Sequence, residues 1–105
     1  MHSEFHRATR YPFAASTEVS DVRSEKLLTA FTSNLSLFGC YVLTGMPFPG
    51  GTKVSLRITR GGGTFAAYGK VIYSRPEYGM GIAFTKIEPS SQATLEKWIA
   101  SLRAK

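Results

Sequence analysis

The chain has 105 residues, 43% of them hydrophobic and 19% charged, and its 13 Lys+Arg against 7 Asp+Glu leave a net charge of +6. That is one domain with apolar residues enough for a core, which excludes wholesale disorder and a miniature scaffold held only by disulfides or metal. A single cysteine excludes an intramolecular disulfide and a cysteine-based zinc site, and no run approaches the roughly 18 apolar residues that cross a bilayer. The N-terminus lacks the apolar core of a secretory signal, so a cytoplasmic location is expected. Positive charge attracts nucleic acid, phosphorylated small molecules or acidic protein faces without choosing among them.

Residues 1–11 read as a flexible lead-in that carries both histidines, His2 and His6, and the arginines Arg7 and Arg10. A first strand is predicted over 12–20, entered through Pro12 and followed by the turn residues Ser20 and Asp21. A second, over 25–33, rests on its Leu, Phe and Thr content. A third, over 37–44 (LFGCYVLT), is strongly apolar, with Cys40 as a small buried hydrophobe. "MPFPGG" is a loop, punctuated by two prolines and two glycines.

The fourth strand, over 52–59, alternates cleanly, with Val54, Leu56 and Ile58 on one face and Lys53, Ser55 and Arg57 on the other. "RGGG" at 60–63 is a hairpin connection. The fifth strand, over 64–74, contains Gly69, where a bulge or bend is expected. "RPEYG" turns the chain into a sixth strand over 80–87, with Met80, Ile82 and Phe84 alternating. The period then changes: Leu95, Trp98, Ile99 and Leu102 form the stripe of an amphipathic helix over about 89–103. Pro89, Ser90 and Ser91 start it, and the basic Lys97, Arg103 and Lys105 suit its C-terminal end. Residues 12–105 are thus expected to form an all-β, six-stranded antiparallel barrel with a C-terminal helix on an opening or flank.

No nucleophile–histidine or metalloprotease motif is present, and the acidic residues are dispersed, so an enzyme is not expected. His2 and His6 offer too few ligands for a closed metal site. "GGGTF" lacks the lysine and helix of a phosphate-binding loop. Phe65, Tyr68, Tyr73 and Tyr78 are placed on strands, where core packing explains them better than a nucleic-acid stacking platform. Two stretches remain. "HRATRYPF" brings arginines, whose forks grip phosphate and whose planes stack on purines, to the edge of the first strand, although a solvated basic tail has the same composition. In "NLSLFG", Asn34 and Ser36 lie two apart and share a face if extended, and Gly39 permits close approach of a ligand or chain; a plain turn uses the same residues.

Together these stretches resemble the PilZ domain family of bacterial cyclic di-GMP receptors. The family motif [D/N]-x-S-x-x-G is matched in full by Asn34, Ser36 and Gly39. "CYVLTGMPFPGGTKVSLRI" resembles the family's third and fourth strands, and "GKVIYSRPEYGMGIAFTKIEPSSQATLEKWIASL" its closing strands and helix. The family's R-x-x-x-R motif is met in its second position by Arg10; four residues earlier stands His6, and the nearest arginine, Arg7, is at spacing three. The resemblance implies a ligand held between the N-terminal segment and the barrel. Arg10 would contact phosphate and stack on guanine with Arg7 or His6 assisting, Asn34 and Ser36 would meet a guanine edge, and Gly39 would keep the wall low. It implies no cofactor beyond this ligand, and signalling through ordering of the N-terminal segment to a separate partner such as a motility or secretion component. The alternative is a degenerate PilZ-like adaptor that binds protein and not nucleotide.

Overall fold

Period-two burial builds the sheet. In β1 (Tyr11–Asp21) Phe13, Ala15, Thr17 and Val19 are buried and the residues between them exposed. The same alternation runs through β2 (Leu27–Leu35), β4 (Lys53–Arg60) and β5 (Gly63–Arg75), while β3 (Gly39–Leu43) and β6 (Gly79–Ile87) are buried more continuously. The coordinates, a computed structural model, describe residues 9–104. All neighbouring strands pair antiparallel in the closed order β1-β2-β3-β6-β5-β4. Closure leaves no unpaired sheet edge for other chains to extend.

The interior is filled by one cluster drawn from every strand, with Phe65, Leu35, Ile58, Met80 and Ile82 among its largest members. Two threonines sit within it, and both hydroxyls are used: Thr17 Oγ1 donates to the Arg57 carbonyl at 2.9 Å and Thr32 Oγ1 to the Phe13 carbonyl at 2.6 Å. Helix α1 (Pro89–Arg103) has the bounds expected from its stripe. Leu95 and Ile99 are buried, the Trp98 ring lies 5.1 Å from that of Phe13, and the Arg60 guanidinium lies 4.5 Å from the Phe13 ring centroid. The helix start is tied to β5 through Ala66, whose N–H donates to Ser91 Oγ at 2.9 Å and whose carbonyl accepts from the Glu88 N–H at 3.2 Å.

Several sequence expectations move by a few residues, each for a reason in the pairing. Residues 25–26 belong to the β1–β2 turn, where Glu25 has φ 65° and the Asp21 carboxylate accepts from the Arg23 N–H at 2.9 Å and the Ser24 N–H at 3.4 Å. Those bonds, chiefly that from Arg23, hold the Asp21 carboxyl below its ordinary pKa. At its other end β2 runs on to Leu35, because Asn34 and Leu35 have partners on both sides, in β1 and in β3. Asn34 therefore lies within β2, one residue from its end, and β3 begins at Gly39, not at 37. Gly61 and Gly62, with φ 59° and 84°, make the expected tight hairpin between β4 and β5. The bulge anticipated at Gly69 is present, and a second register shift follows between Val71 and Tyr73. Of the four strand aromatics, Phe65 is core, Tyr68 and Tyr73 face outward, and Tyr78 lies in the β5–β6 turn.

Candidate functional site

Register brings the two sequence stretches together. Tyr11 pairs with Leu35 and Pro12 with Asn34, so Arg10, the residue before β1, falls level with Ser36. The result is a shallow recess of about 20 Å³ lined by Arg10, Asn34, Ser36, Gly39, Tyr41 and Tyr73, with Ile72 and Gly81 beside them. Among the described residues no carboxylate lines it. Of the expected site residues, Arg10, Asn34, Ser36 and Gly39 thus meet here; His6 and Arg7 lie outside the described residues.

Ser36 and Gly39 are used by the fold itself. The Ser36 N–H donates to the Gly39 carbonyl at 2.9 Å, closing a tight turn over Leu37 and Phe38. Ser36 Oγ, buried, accepts from the Phe38 and Gly39 N–H groups, each at 3.1 Å, and faces the Gly39 carbonyl at 3.4 Å. Its acceptor capacity is spent on the turn, and only its proton is loosely held. Gly39 is required because β6 passes directly over it: a Cβ there would collide with the Ile82 carbonyl oxygen. The turn reading of this stretch and its place in the recess are therefore both true.

Asn34 is half-buried at the end of β2, and Arg10 is exposed. Next to them stand two tyrosines that sequence reasoning did not place in the site. Tyr41 and Tyr73 are both Cα partners of Gly81, one from β3 and one from β5, and their rings lie 6.0 Å apart at 32°. A Cβ on Gly81 would stand 2.5 Å from the Tyr73 ring, and one on Gly79 2.7 Å from that of Tyr41. The rings thus cover backbone that glycine leaves bare, an arrangement that stabilises glycines within sheets. The available signal was "GMG" opposite two tyrosines, legible only once strand order is known. Cys40, also at the recess, is pushed up to about 12 by burial, so its thiol stays protonated at neutral pH.

An arginine, an asparagine and an aromatic shelf around this shallow recess offer a fork for an anion and a flat face for a planar group. No group of three or more His, Cys, Asp or Glu able to hold a metal ion occurs among the described residues. No helix among them is long and apolar enough to cross a membrane.

A closed six-stranded barrel of this strand order, followed by a C-terminal helix and carrying this turn, defines a class of small β-barrel domain. The PilZ domain family model matches residues 3–101, and the chain belongs to that family. Similar solved structures include the motility inhibitor MotI/DgrA of Bacillus subtilis, with TM-score 0.75, 16% identity, 93% of this chain covered and 51% of that one. The chain therefore spans about half the length of that protein. The PilZ domain of YcgR from Escherichia coli, solved with c-di-GMP, gives TM-score 0.75 and 17% identity over 93% of this chain and 91% of that one. The PilZ domain of CeSA from a cellulose-synthesizing bacterium gives 0.68 and 21%, over 90% and 98%. No curated protein matches the chain in sequence.

Proposed function

We propose that this PilZ domain is a non-enzymatic receptor for cyclic di-GMP, the ligand of the YcgR neighbour. The observation that carries this reading is the Tyr11–Leu35 register, which brings Arg10 beside Asn34 and the tyrosine shelf in a recess that no acid lines among the described residues. Arg10 supplies a fork for phosphate oxygens and a plane for stacking. Asn34 offers donors and acceptor to a guanine edge, and the Ser36 proton is available if it leaves the Gly39 carbonyl. Arg7 or His6 would close over the ligand from the N-terminal segment, and ordering of that segment would present a new surface to a downstream partner. Calorimetric titration with cyclic di-GMP tests the reading: heat saturating at micromolar ligand supports it, and no heat at tens of micromolar protein overturns it.

A second reading is a PilZ-like adaptor without nucleotide binding. It is favoured by the structural duties of Ser36 and Gly39, which would preserve the motif even in a barrel that had lost its ligand. Unchanged amide resonances of Asn34 and Tyr73 on nucleotide addition, in a chain that remains folded, would select it.

A further inference from the structure

The outer face of β4, β5 and β6 holds a second set of unused groups. In the β4–β5 ladder Lys53 stands directly opposite Lys70, and both are exposed. Like charges directly opposite on an antiparallel pair repel. No acid relieves them in register. Beyond Lys70 the next strand presents Ala83, and beyond Lys53 the chain presents Val22, whose N–H donates to the Lys53 carbonyl at 3.0 Å. Asp21, one step along that edge, is engaged with the Arg23 and Ser24 N–H groups.

The lysines border an aromatic. Tyr68, 53% exposed, stands between Ser55 of β4 and Lys86 of β6. It edges a hollow of about 460 Å³ floored by Ser20, Ser55 and Ala66, with Arg57, Lys86, Glu18 and Glu88 around it. In the other direction along β5, Ile72 is exposed and lines the Arg10 recess. Tyr68, Lys70 and Ile72 thus form one outward row from hollow to recess.

We propose that this face docks an acidic segment of a partner protein, its carboxylates on Lys53, Lys70 and Lys86 and an apolar side chain against Tyr68 in the hollow. Tyrosine is enriched in binding hot spots, and Lys86 opposite Tyr68 and Lys70 two residues along supply the charge that an acidic segment would meet. Glu18, opposite Arg57 in the β1–β4 ladder, and Glu88 offset the cations of the hollow itself. The remaining positive strip is too short for the many phosphate contacts that hold nucleic acid, which favours a short protein segment as the occupant. The inference stands on the Lys53–Lys70 register and does not depend on nucleotide binding.

The test is an NMR titration of the isotope-labelled chain with a short synthetic peptide of alternating Asp and Glu around a central leucine. A charge-reversed peptide, oligothymidylate and phosphatidylglycerol vesicles are run at the same salt. Shifts confined to the amides around Lys53, Tyr68, Lys70 and Lys86, with about tenfold weaker peptide binding by Lys70→Glu, support the proposal. That variant faces Lys53 with an opposite charge and is expected to melt no lower than the parent. Lys97→Glu, the same charge change on the helix, is expected to alter affinity by less than about twofold. Absence of peptide binding, an equal loss from Lys97→Glu, or tighter binding of the oligonucleotide or the vesicles overturns it.

Discussion

Within one recess, Ser36 and Gly39 differ in kind from Arg10 and Asn34. The first pair is committed: the Ser36 hydroxyl holds two backbone N–H groups and Gly39 makes room for the β6 carbonyl of Ile82. The second pair is in reserve, with Arg10 exposed and Asn34 half-buried. A motif that looks uniform as a sequence pattern therefore divides into residues that shape a wall and residues free to use it. Substitution separates them, because wall residues report in stability and free residues in affinity.

The largest expected effect is Gly39→Ala. Its methyl group meets backbone, which cannot rotate away, so urea denaturation is expected to show a loss of about 3 kcal/mol. Gly45→Ala, where no atom lies within 4 Å of the added Cβ, is the matched control and is expected to be near neutral. If both variants are equally stable, Gly39 belongs with the free residues and not with the wall.

Arg10→Ala comes next. Loss of a charge-assisted contact to phosphate is expected to weaken cyclic di-GMP binding by at least about tenfold, with the melting temperature unchanged. A melting temperature that falls with affinity would place Arg10 in the wall as well. Ser36→Ala is smaller: it leaves the Phe38 and Gly39 N–H groups without their acceptor, for about 1–2 kcal/mol by thermal or urea unfolding. An affinity loss without a stability loss would reverse its assignment.

The strands were legible because alternation is local. Val54, Leu56 and Ile58 announce a buried face with no knowledge of their neighbours, and they are buried. The helix, expected over about 89–103, was legible because its stripe, its proline and its basic end lie within one short segment. The end of β2 was not. Asn34 is a common turn residue, and only its ladder to Pro12 and its place beside Tyr41 keep it in the strand. The tyrosine shelf was hidden for the same reason: Tyr41 and Tyr73 are far apart in sequence and meet only across Gly81.

By itself the sequence determined the number and kind of elements, the family and four of the residues that gather at the recess. Periodicity, turn chemistry and motif spacing are properties of neighbouring residues. Tertiary structure decided which of those four are spent on the fold, which aromatics join them, and that Lys53 faces Lys70. Each of these depends on register between strands remote in sequence, where a shift of one residue turns every side chain to the opposite face.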